Sequence, residues 1–176
     1  MQPNIFKSAM NNGLIMGLLF SINSLFAFSR HHSLTLISDL IFGVIIFVTF
    51  YTTKLYRDKE CNGIISFAKS HNFIVYSFFF GSIISTIVKY IYFKYIDPTL
   101  ISDVVFTQSI QSFQTLGKTL TDEELQLFKD FVAHPLNFCF QFIWLDLFLG
   151  AILGLILSFF IKKKATSSQK EEIAEV

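Results

Sequence analysis

Three ionisable side chains, Asp39, Lys89 and Asp146, interrupt stretches of sequence that are otherwise apolar. Two carboxylates and an amine in such surroundings can pair with one another, hold a proton or bind an ion. A charge left alone at the centre of a membrane helix costs about 2.5–3.5 kcal/mol on insertion scales, less near the interface, and pairing lowers that cost. His31, His32 and His134 are the other groups of chemical interest. Adjacent histidines point apart on a helix and no ligand spacing ties them to the third, so no metal site is expected. No H-E-x-x-H, G-x-S-x-G or phosphate-cradling glycine loop occurs. The chain carries no catalytic signature: neither an enzyme nor a cofactor is expected, and nucleic acid is not an expected partner.

The elements that must position these residues are four apolar runs, Gly13–Phe28, Leu34–Thr53, Phe73–Tyr95 and Leu136–Ile161. Each approaches the roughly 20 residues that carry a helix across a hydrocarbon core about 30 Å thick. Charged residues make up 15% of the chain, against about 25% in soluble domains. The 23 phenylalanines follow from the same solvent, because a bilayer accepts any large apolar side chain. The expected fold is an all-α membrane protein with transmembrane helices over about 10–29, 34–54, 73–95 and 137–161. These form a single domain over 1–164, followed by a polar tail over 165–176. Lys7 and the small residues around Ala27-Phe28-Ser29 also suit a signal peptide. The length of the first run, and the Arg30-His31-His32-Ser33 turn leading straight into the second, favour a hairpin of two spans.

Depth follows from counting. With Lys54, Asn72 and Lys162 at one membrane edge, Asp39, Lys89 and Asp146 lie roughly 8, 5 and 6 Å inside the other edge. They share a layer, so Lys89 is expected to bridge the two carboxylates. Three readings stay open: a structural polar layer, separate charges that reach the interface on their own, or a site that handles an ion or substrate. Small residues mark a second layer in Gly13-x-x-x-Gly17, Gly81-x-x-x-Ser85 and Gly150-x-x-x-Gly154. Such spacing lets helix backbones approach closely, within one chain or between copies. Cys61 and Cys139 should face opposite sides, which excludes a disulfide between them.

Orientation is read from the basic residues. With the N-terminus inside, Lys7, Lys54, Arg57, Lys59, Lys69, Lys162, Lys163, Lys164 and Lys170 fall on the inner side. Only Arg30, Lys94, Lys118 and Lys129 fall outside. The positive-inside rule then places both termini in the cytoplasm, with Lys162, Lys163 and Lys164 as an inner basic anchor. Inside, Ile64–Ser70 is expected to form a short interfacial helix that runs into the third span. Outside, Asp97-Pro98 should open a helix that Gly117 stops. Thr121-Asp122-Glu123-Glu124 then forms a capping box for a second helix ending before Pro135. The outer loop, 97–135, is thus expected to be an extracytoplasmic amphipathic helical hairpin between helices 3 and 4.

Tyr56-Arg57, Gly63-Ile64-Ile65-Ser66-Phe67, Tyr92-Phe93-Lys94-Tyr95-Ile96-Asp97-Pro98 and a glycine-bearing last helix ending in lysines resemble the Bacteroidota membrane proteins grouped as domain of unknown function 4199. The resemblance covers nearly the whole chain. It implies a four-span protein of the bacterial inner (cytoplasmic) membrane and assigns no activity or site residue. Together these readings lead to an expected non-enzymatic component of the lipid bilayer, one that packs against itself as a homo-oligomer or against another membrane protein. The alternative is a small transporter or channel component built on the Asp39/Lys89/Asp146 layer.

Overall fold

The computed structural model describes residues 4–29, 32–100, 106–115, 117 and 120–163. Helices dominate them: α1 (Ile5–Ala27), α2 (His32–Glu60), α3 (Phe67–Ile91), α4 (Thr107–Thr115), α5 (Asp122–Ala133) and α6 (Pro135–Ile161). One π-helical turn, Tyr92–Ile96, continues α3. Four segments are long and apolar enough to cross a membrane: Ile5–Ala27, Leu36–Glu60, Phe67–Ile96 and Cys139–Ile161. The helix starts have local causes. Asn4 Oδ1 accepts the Phe6 and Lys7 amides ahead of α1, Ser66 caps α3, and Pro135 occupies the first turn of α6.

α3 is the hub, with α1 packed along one side and α6 along the other, while α2 leans mainly on α1. The facing residues give the directions. Gly13 and Gly17 meet Phe80 and Ile84, so α1 and α3 run parallel; Gly150 and Gly154 meet Phe78 and His71, so α6 runs antiparallel to α3.

Burial is inverted relative to a soluble protein. Leu40, Phe148 and Phe160 are each more than two-thirds exposed or close to it, whereas Thr53, Ser70, Ser82, Ser85 and Ser158 are fully enclosed. Lipid makes sense of this, because it solvates the apolar exterior and offers nothing to a hydroxyl. Many buried hydroxyls are satisfied by their own helix. Ser21, Ser24, Thr49, Thr53 and Ser77 each donate to the carbonyl four residues back at 2.6–2.8 Å. The chain is an integral membrane protein.

One end of the bundle is basic and tied together. After α2, Asn62 and Gly63 take positive φ, and the Gly63 amide donates to Arg57 O at 2.9 Å. A glycine accepts that left-handed geometry without strain. Ile65 then pairs in extended conformation with Lys163, through hydrogen bonds of 3.1 and 3.0 Å. The interfacial helix expected over Ile64–Ser70 is therefore absent. Ile64–Ser66 is a non-helical clasp and Phe67–Ser70 is the first turn of α3. A backbone partner about a hundred residues away outweighs the local amphipathic pattern.

At the far end Phe93, Leu100 and Cys139 are buried together, with Phe28 and Phe142 packed against them. Phe128 of α5 meets the rings of Phe106 and Phe113 at 5.8 and 6.0 Å. Thr121 and Glu124 form the expected capping box, and Gly117 follows α4 at φ +71°. The helix start expected after Asp97-Pro98 falls partly on residues 101–105, outside the described residues, as does the tail over 164–176.

Candidate functional site

Lys89 enters the site from the last turn of α3 and is 4% exposed. Its ammonium lies 3.5 Å from Asp146 Oδ2 on α6 and 4.3 Å from the centre of the Phe142 ring. The antiparallel packing of α3 against α6 makes this meeting possible, since both residues lie toward the far end of their helices. Asp39 does not join them. It stands on the exposed side of α2, which of the four spanning helices packs least against α3 and α6. Of the three intramembrane charges the structure brings two together.

The pair borders a recess of about 410 Å³ between the far halves of α1, α3 and α6. Asn23 and Ser24 of α1 contribute its other polar side chains. Ser24 is satisfied by Phe20 O at 2.6 Å, but Asn23 Oδ1 is buried without a hydrogen-bond partner among the described residues. A buried amide oxygen in that state costs about 1–3 kcal/mol.

A second recess, about 190 Å³, opens at the basic end and is lined by Ser8, Asn12, Tyr56, Lys59 and Glu60 among others. Ser8 Oγ donates to Glu60 there, while Asn12 Oδ1 is buried and has no partner among the described residues. Along α1 and α3 the two recesses are separated by Met16, Phe20, Phe78 and Gly81, all buried. Phe20 and Phe78 contact edge to face at 5.1 Å. The interior between the recesses is thus a largely apolar plug, in which the hydroxyls of Ser21, Thr49, Ser77 and Ser82 are bonded to carbonyls of their own helices.

The small residues build that plug. A Cβ added at Gly13 would stand 2.5 Å from Phe80 Cβ, at Gly17 2.7 Å from Ile84 Cβ, and at Gly150 2.6 Å from Phe78 Cβ. Gly81 faces Met16 and Gly17, and Gly154 faces His71. Ser85 is fully enclosed, its hydroxyl without a partner among the described residues. All three small-residue motifs are used inside one chain, at the two faces of α3.

The remaining candidates lie at the ends. Lys162 sits 4.1 Å over the Phe159 ring and Lys163 forms the clasp with Ile65; Lys164 and His31 are outside the described residues. His134 caps α6 without a side-chain hydrogen bond. Cys61 and Cys139 are free thiols at opposite ends. Among the described residues no three His, Cys, Asp or Glu side chains are grouped to hold a metal ion. Sequence reasoning missed Asn12, Asn23 and His71, each with a buried polar atom that has no partner among the described residues. An asparagine inside an apolar run was the available signal.

Residues 11–163 match the model of a family described as a protein of unknown function (DUF4199). No curated protein and no solved structure matches the chain.

Proposed function

The chain belongs to the DUF4199 family of proteins of unknown function, and on that footing we propose a non-enzymatic component of a bacterial inner membrane that works by contact. Both termini are cytoplasmic in this reading, and the helices at 107–133 form an extracytoplasmic hairpin cap. The observation that carries it is the packing of α3. Glycines draw α1 and α6 onto it so closely that Met16, Phe20 and Phe78 fill the space between the two polar recesses. A scaffold without a continuous polar path is built for holding a shape and presenting surfaces, to a second copy or to another membrane protein.

Native mass measurement after extraction in a mild non-ionic detergent, with cross-linking in membranes, tests this reading. A defined homo-oligomer or a reproducible complex with another membrane protein is expected. A strictly monomeric, partnerless chain overturns it. For orientation, a reporter fused after Lys170 should be cytoplasmic and one inserted near Lys118 should be outside.

A second reading is favoured by one observation: the buried Lys89–Asp146 pair opens on a recess, as in a small transporter or channel component. Flux in reconstituted vesicles that disappears in a well-folded Asp146→Asn variant would support it.

A further inference from the structure

Exposed apolar residues form one ribbon across the break between α5 and α6. On α6 they recur at every fourth position from Leu136, Phe140 and Trp144 down to Phe160. Leu127 and Phe131 carry the same spacing into α5, at 71% and 43% exposure. His134 breaks the axis with φ −85° and ψ 105°, and the chain folds there so that Phe131 stands beside α6. It lines one recess of about 290 Å³ with Leu136, Phe140 and Trp144. Another side of α5 is already taken, because Phe128 packs on Phe106 and Phe113. The helix is therefore not free to roll its apolar stripe inward.

Distance sets what this stripe meets. Leu136 and Phe160 are 24 residues apart, about 36 Å along a helix, which outruns a hydrocarbon core of about 30 Å but stays within the roughly 40–45 Å that includes the headgroup layers. With Phe160 at the edge marked by Lys162, Leu136 stands among the headgroups of the far leaflet, and α5 turns over at that level. We propose that α5 lies in this layer, with Leu127 and Phe131 inserted between lipids that carry zwitterionic headgroups. Continuity with the α6 wall, which acyl chains already solvate, favours lipid over a protein cover. Charge selects the headgroup. α5 carries Asp122, Glu123, Glu124 and Asp130 against Lys129 alone, so an anionic surface repels it and a zwitterionic one does not. Two apolar side chains on a free helix of 12 residues would hold a membrane weakly. α5 is tethered one residue from a spanning helix, so insertion costs it no translational freedom. The inference holds whichever side of the membrane this end faces.

The test moves the chain's single tryptophan to chosen points on α5. In a Trp144→Phe background, Leu127→Trp and Phe131→Trp report the stripe, and Lys129→Trp reports the opposite side, half a turn away. Phe131→Trp, an aromatic exchange, serves even if Leu127→Trp disturbs the helix. The full-length variants go into nanodiscs of phosphatidylcholine brominated near the headgroup end of its acyl chains. Emission from the Leu127 and Phe131 positions is expected to lie to the blue and to fall several-fold relative to unbrominated discs. Emission from the Lys129 position should stay that of tryptophan in water. Replacing much of the phosphatidylcholine with phosphatidylglycerol, at a constant brominated fraction, should weaken quenching at the stripe, and raised salt should restore it. Water-like emission at both stripe positions overturns the proposal, as does equal quenching at Lys129. Blue emission that bromine leaves unquenched also overturns it, because a second copy or another protein then covers the stripe. Quenching that holds or grows with anionic lipid overturns the choice of a zwitterionic surface.

Discussion

Gly17 of α1 and Gly81 of α3 face each other so closely that a Cβ placed on Gly81 would stand 3.1 Å from the Gly17 amide nitrogen. In lipid there is no hydrophobic drive to bring helices together, so association rests on dispersion contacts between surfaces that approach well. The same chain contains its own control. Among the described residues, nothing lies within 4 Å of where a Cβ would be on Gly43 of α2.

Alanine substitution should therefore act in opposite directions at different glycines. A new methyl gains about 0.5–1 kcal/mol of helix propensity. At Gly13, Gly17 and Gly150 it meets the Cβ of Phe80, Ile84 and Phe78, atoms fixed to their backbones, and overpacking costs typically 1–3 kcal/mol. Those three variants are expected to be destabilised, and Gly43→Ala to be neutral or stabilised by up to about 1 kcal/mol. Gly154→Ala should be milder than Gly150→Ala, since the His71 ring it approaches can turn aside. Unfolding in mixed micelles, followed by circular dichroism, checks the ranking. Equal effects at Gly17 and Gly43 would sink it.

Lys89 and Asp146 lead to a second expectation. Removing one partner leaves the other buried and uncompensated, so Lys89→Met alone should destabilise by about 2–3 kcal/mol. The double variant Lys89→Met, Asp146→Leu should recover to within about 1 kcal/mol of the parent, because a well-packed apolar pair avoids desolvation altogether. Asp39→Asn, on the exposed side of α2, should change stability by no more than about 0.5 kcal/mol. A double-mutant cycle in the same micelles decides the matter. A double variant as unstable as either single one would show that the pair contributes more than compensation.

The contrast between Asp39 and the other two charges shows what was legible in the sequence. Counting along each helix yields depth, and depth alone puts all three residues in one layer. Rotation about the helix axis is a different quantity, decided by which neighbours a helix finds. α2 finds mainly α1, which turns Asp39 outward. The glycine spacings were legible because a small residue at every fourth position leaves one flat stripe whatever the partner is. The Thr121–Glu124 capping box was legible because its partners lie three residues apart. The clasp between Ile65 and Lys163 was not, because nothing local in either segment names the other.

That clasp should be measurable. Arg57 Nη1 donates to Ile161 O at 3.1 Å, closing one of the open carbonyls at the end of α6, while its Nε holds Asp58 at 2.7 Å. The two bonds use different faces of the guanidinium, so Arg57→Lys should not restore what Arg57→Ala removes. Loss of a charged hydrogen bond of this kind costs about 1.5–3 kcal/mol locally. The readout is limited trypsin digestion at Lys162 and Lys163, which should accelerate by roughly tenfold or more in either variant. Unchanged cleavage would mean that the Ile65 pairing alone secures the end of α6.

The start of α5 should respond to acid. The Glu124 carboxylate accepts from the Thr121 backbone N–H at 2.9 Å and from its hydroxyl at 3.0 Å, and these bonds hold its carboxyl below the usual range. A depressed carboxyl binds its proton less readily when folded than when unfolded. Its contribution is therefore complete above the ordinary carboxylate range and is lost as pH falls through the folded value. Amide exchange over Asp122–Gln126, corrected for the intrinsic rate, should stay slow near neutrality and quicken several-fold on acidification to about pH 3. Glu124→Gln keeps a side chain that can accept from Thr121 but cannot titrate, so its exchange should show no such step. Thr121→Ala should fray the same turn at every pH, because the hydroxyl that accepts the Glu124 amide is gone. A step that survives in Glu124→Gln would assign the acid response to Asp122 or Glu123 instead.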